Sequence, residues 1–243
     1  MNMRNTVQHR PHSEDGTGLL EVMVATMAGL IVLAATMQTI SSFQRQFSNQ
    51  QIALGQQQDL RLGIELLEQE LHLADSASLS IMKRDEIEFG ANVNGLSTIV
   101  TAPALSGQTT ISVEDSREWP ERKTILICWH ERCDAMVLAR DGQRALLTVT
   151  QPIAVTIPAG ASVLVRNRVR YYSRKDDHGI TRFLRQVDGG ASVLVGDIQE
   201  VRFSYWNEQG WPEVQPTLVR RIVVEMSLLG RSSKTIREIS LRA

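Results

Sequence analysis

Few residues in this chain have types and spacings that could do chemistry. Each of them also has a plainer role. Cys128, His130 and Cys133 in "CWHERC" offer three soft ligands within six residues, one short of a structural zinc quartet. Asp176, Asp177 and His178 in "KDDHG" could hold a cation, yet Asp and Gly are also what a tight hairpin tip requires. "GRSSK" at residues 230–234 reads as a loop between two strands. Two of the five histidines, His9 and His12, precede the apolar segment, and His72 sits in a helical pattern. No nucleophile stands beside a base, and no phosphate loop, dinucleotide fingerprint or nucleophile elbow is present. The expectation is a non-enzymatic protein with no metal and no cofactor.

A further singular residue is Glu21. It stands two residues into an apolar run, and residues 22–44 carry no charge at all. A bilayer span takes about twenty mostly apolar residues, so this stretch is long enough to cross one. A carboxylate in such a segment is costly and calls for a partner. Three readings of the segment compete. It could be a secretory signal, with Arg4 and Arg10 ahead of the apolar stretch and Ala34-Ala35 near a small-residue cleavage site. It could be a plain anchor, with Glu21 favourably placed on the helix dipole. Or it could be a leader ending in Gly16, whose removal would make Thr17 a new terminus and Glu21 the fifth residue of the mature chain.

Beyond the apolar run the pattern stays helical. Leu60, Ile64, Leu67, Leu71 and Ala74 recur at spacings of four and three and define one face, while Asp59, Arg61, Glu65, Glu68 and Glu70 fall mostly off it. Gly55 and Gly63 weaken the helix, each by about 1 kcal/mol relative to Ala, and offer places to bend. A helix from Leu19 to near Asp75 would have an apolar first half and an amphipathic second half, the latter packed on a sheet. From Leu79 the period changes to two. "LSIMK", "EIEFG", "STIVTAP", "TTISVED", "TILICW", "DAMVLAR", "ALLTVTQP" and "SVLVRNRVRYYSR" read as short strands. Val201, Phe203 and Tyr205 share a face of one later strand, and Ile222, Val224, Met226 and Leu228 share a face of another. Strand following strand predicts a mostly antiparallel sheet, hence an α+β chain. "GASVLV" occurs twice, at residues 160–165 and 190–195, as a duplicated unit or, preferably, as similar turn-and-strand chemistry in neighbouring hairpins. In "CWHERC", a tight turn at His130-Glu131 would set Trp129 opposite Arg132 and Cys128 opposite Cys133, close enough for a disulfide in an oxidising compartment. Two reduced, packed cysteines are the alternative.

The leader, Gly16, Glu21 and "VMVATMAGLIVLAAT" together resemble the class III signal of type IV pilins and type II secretion pseudopilins. The tail is similar to the C-terminal part of PilW-type minor pilins and, next, GspJ-type minor pseudopilins. The shared pattern is a Tyr-rich strand, "FLRQ", "VRFSYW" with a glycine-closed turn, "VRRIVVEM" and a last strand ending near "LR". The resemblance implies a pilin-like fold with a leader at 1–16, a transmembrane or filament-core helix at 17–44, its amphipathic continuation at 45–76 and a β-rich periplasmic head at 77–243. It implies cleavage between Gly16 and Thr17, N-methylation of Thr17, and a charge pair between Glu21 and the Thr17 amine during assembly. Thr17 stands where this family usually has phenylalanine. The implied partners are other minor pilins or pseudopilins, the prepilin peptidase and an inner-membrane assembly platform. A filament-tip adhesin or binding module is the alternative of another class. With 26 Lys+Arg against 27 Asp+Glu, there is no electrostatic footprint for nucleic acid.

Overall fold

The computed structural model describes residues 18–74, 76–130, 132–230 and 233–241. The chain divides into two compact units, Met1–Leu54 and Gly55–Ala243. One helix, α1 (Leu19–His72), supplies the described secondary structure of the first unit and opens the second. Within the first unit its large apolar side chains are exposed from Leu19 through Leu54. Thr26, Thr36, Thr39 and Ser42 each return their hydroxyl to a carbonyl three or four residues back, which satisfies them without water.

In the second unit α1 buries Leu60, Ile64, Leu67 and Leu71, the face expected from their spacing. The helix closes where Leu73 and Ala74 donate to carbonyls three residues back, tightening the last turn. Gly63 answers to packing rather than bending. A Cβ there would come within 2.9 Å of Val195 Cγ2, so the glycine lets the helix approach the sheet. Glu70 also departs from the sequence reading. It lies on the packed face and is only 4% exposed, because Tyr171 and Arg185 beneath it satisfy its carboxylate.

The strands are β1 (Leu79–Met82), β2 (Glu86–Ala91), β3 (Ser97–Ile99), β4 (Thr110–Ser112), β5 (Thr124–Trp129), β6 (Arg132–Val137), β7 (Leu146–Thr148), β8 (Ser162–Lys175), β9 (Thr181–Val187), β10 (Gly190–Trp206), β11 (Arg221–Leu228) and β12 (Lys234–Ser240). Only two short 3-10 turns, at Ser76–Ser78 and Pro216–Leu218, interrupt them among the described residues. All pairings are antiparallel, and the main sheet runs β1-β2-β8-β9-β10-β11-β12. Strand β8 carries two sheets' worth of pairing. Its first residues bond β3 and β5, and its later ones bond β2 and β9.

That handover splits the core. One cluster lies under α1, where Phe89, Tyr171, Phe183 and Phe203 from β2, β8, β9 and β10 form a row with ring centroids 5.7–6.4 Å apart. The other gathers Val100, Ile111, Ile125, Ile127, Leu147, Val163 and Val165 around β3 to β8. The two copies of "GASVLV" fall in different settings. Val163 at the head of β8 is fully buried, whereas Val193 in β10 is 49% exposed and lies beside a break in register with β9.

Candidate functional site

Glu21 occupies the first turn of α1, and its N–H donates to the Gly18 carbonyl at 2.8 Å. An acidic side chain there interacts favourably with the helix N-terminus. It is exposed and has no ion-pair partner among the described residues. The stretch that follows is long and apolar enough to cross a membrane, and none of it is buried. One N-terminal helix of this kind is what single-pass anchoring needs. Gly16 and Thr17, the expected cleavage and methylation positions, lie outside the described residues.

The β5–β6 hairpin sets Trp129 opposite Arg132 and Cys128 opposite Cys133. His130 enters the turn with φ +54°, a conformation that favours short polar residues and glycine. Cys128 and Cys133 are joined by a disulfide, with a Cα–Cα distance of 4.1 Å. That separation is typical of a cross-strand pair without backbone hydrogen bonds between its members. Arg132 stacks on the Trp129 ring, 5.4 Å from its centroid, and pairs with Asp134. With both sulfurs bonded to each other, this hairpin has no thiolate ligand to offer.

At "KDDHG" the Asp176 carboxylate accepts the N–H groups of His178 and Ile180 and pairs with Arg182 at 3.0 Å. The Ile180 N–H above all, helped by His178 and Arg182, holds this carboxyl below its usual range against some desolvation. The carboxylate is thus engaged in closing the turn, where Gly179 takes φ +79°. No group of three potential metal ligands converges among the described residues.

Two polar clusters escaped the sequence reading. Under α1, Glu70 accepts the Tyr171 hydroxyl at 2.5 Å and both forks of Arg185. Burial and the neighbouring Glu70 charge push the Tyr171 phenol well above its ordinary value. The cluster fastens the helix to β8 and β9. Between the two cores, Asp188 follows β9 at φ +50° and accepts from Asn167 Nδ2 at 2.7 Å, from the Arg168 N–H at 2.8 Å and from Lys123. Burial pushes its carboxyl up, but these donors outweigh burial and hold it below the usual carboxylate range. Neither cluster has a local sequence signal, since Glu70 lies 101 residues from Tyr171 and Lys123 lies 65 from Asp188.

Compared with protein-family profiles, curated proteins and solved structures, the chain matches none.

Proposed function

We propose that this chain is a minor subunit of a type IV pilus-like filament, held in the inner membrane by α1 until it is assembled. The observation that carries the reading is Glu21 in the first turn of a 54-residue helix whose next stretch is apolar and unburied. Such a surface needs lipid or other apolar helices around it. A carboxylate there needs a cation, and cutting after Gly16 would create one at the Thr17 amine, on this subunit or its neighbour. Processing would then license assembly. The β-rich unit would face the periplasm and meet the other minor subunits. A minor pseudopilin of a type II secretion system, to which the tail resemblance points next, is the alternative, and the identity of the co-purifying subunits separates the two.

The test is intact mass or Edman sequencing of protein from cells with an active prepilin peptidase, together with co-purification of partner minor subunits. The expected product starts at Thr17 and has 243 − 16 = 227 residues. A terminus after Ala34 or Ala35 would make the segment an ordinary secretory signal. Glu21→Ala should leave insertion and cleavage intact, because the span becomes more apolar and Gly16 remains. It should also leave the Thr17 amine unpaired, at a cost of about 2–3 kcal/mol, and so lower incorporation by roughly 30–160-fold. Glu21→Asp should retain part of the function. Wild-type incorporation of Glu21→Ala sinks the charge pair.

A further inference from the structure

We infer that the second unit has a docking point for a carboxylate from another molecule, centred on Arg166. The side chains of Arg166, Arg168 and Arg170 lie on the outer face of β8, alternating with buried Val165, Asn167, Val169 and Tyr171. Beside them β2 presents Glu86, Glu88 and Gly90. The register sets Glu88 opposite Arg170 and Gly90 opposite Arg168. Each arginine reaches diagonally, two residues along, to an acid. Arg170 pairs with Glu86 at 2.7 Å and Arg168 with Glu88 at 3.8 Å. By the same step the third arginine, Arg166, arrives at Gly90. A Cβ on Gly90 would lie 2.0 Å from Arg166 Nε, so this guanidinium occupies the space where a third acidic side chain would stand.

Among the described residues, therefore, Arg166 has no acidic partner. Its backbone pairs with Thr124 of β5, but its side chain makes no hydrogen bond, ion pair or ring contact among the described residues, although the residue is partly buried. A guanidinium in such a place carries a desolvation cost that an incoming oxyanion offsets, and its planar fork suits a carboxylate. The surroundings admit one. Arg166, Arg168 and Thr124 line a cleft of about 380 Å³ that Arg122, Lys123 and Asp188 help to complete. With Glu121 also on its wall, four cations face two carboxylates there, so the cleft keeps a positive excess. The same three residues border a second hollow of about 260 Å³ beside Gly90. Both neighbouring rungs take glutamate, which is why a carboxylate is assigned rather than a phosphate. The inference is independent of the filament reading and holds for any role of the unit.

The test uses the full chain in an uncharged detergent, with arginine side chains labelled at Nε, at constant ionic strength. Succinate should move the Arg166 Nε–H resonance saturably, half-saturating on the order of millimolar. Gly90→Glu supplies the missing rung internally. Its backbone is unaffected, because the atom in the way is the far end of a flexible side chain. In that variant the Arg166 resonance should already be displaced without ligand and should no longer respond to succinate. In Arg166→Gln the accompanying response of the Arg168 Nε–H should fall at least tenfold. No saturable shift overturns the inference. So does an unaltered response in Gly90→Glu or Arg166→Gln, or a response to inorganic phosphate with none to succinate.

Discussion

Asp188 shows how one side chain can join two halves of a fold. It sits where β8 passes from one hydrophobic cluster to the other, and Asn167, fully buried beside it, gives it a hydrogen bond. Its folded carboxyl is held below its ordinary value, so below about pH 4 the unfolded chain takes up a proton that the folded one resists. The stability it contributes is complete above that pH and is lost as pH falls through the lower folded value. Asp188→Asn keeps a residue type that tolerates φ +50° but loses the Lys123 ion pair. It should cost about 1–3 kcal/mol at pH 7 and flatten the acid limb of the stability curve, read by denaturant unfolding between pH 3 and 7. An acid limb identical to that of the wild type would show that other carboxylates govern acid unfolding.

Among the elements, α1 and β10 are matched by a vacancy on one and a kink on the other. Strand β10 breaks register between Val193 and Val195 and again before Ile198, and such bulges re-aim the chain. Leu194 and Val195 thereby come against Gly63, and Gln56 reaches Asp197 at 3.0 Å. Gly55 has open space around it. The two glycines should answer oppositely to the same change. Gly55→Ala should raise stability by up to about 1 kcal/mol through helix propensity. Gly63→Ala gains the same propensity but forces a methyl against buried Val195, an overpacking cost of about 1–3 kcal/mol, and should come out destabilised. In thermal unfolding, each kcal/mol should move the midpoint by roughly 2–4 °C for a unit of this size. Equal shifts in the two variants would remove the close-approach explanation of Gly63.

The molecule as a whole is a membrane-compatible helix leading into a unit that owns both hydrophobic clusters. Every residue of those clusters lies at or beyond Leu60. A chain starting at Gly55 should therefore be soluble without detergent and unfold cooperatively, with the Gln56–Asp197 bond retained. A chain starting after His72 loses Leu60, Ile64, Leu67 and Leu71, each worth about 1.5–3 kcal/mol of burial, and bares the aromatic row beneath them. That sum rivals the roughly 5–15 kcal/mol by which domains are stable, so the shorter chain should aggregate or remain unfolded. Size-exclusion chromatography and circular dichroism of the two truncations decide it. A folded shorter chain would mean that the sheet closes on its own.

Periodicity alone specified a good deal of this protein. The long apolar helix, the Leu60-to-Leu71 face, the change to period two at Leu79 and the Cys128–Cys133 opposition all depend on neighbours a few residues apart, and such geometry is written in local spacing. Tertiary structure alone decided that β8 serves two cores, that Glu70 is buried, that Gly63 is a contact rather than a hinge, and that Arg166 stands against Gly90 rather than an acid. Each of these depends on contacts between elements distant in sequence. Moving β2 by two residues along β8 would set Glu88 on the diagonal from Arg166, with every local pattern unchanged.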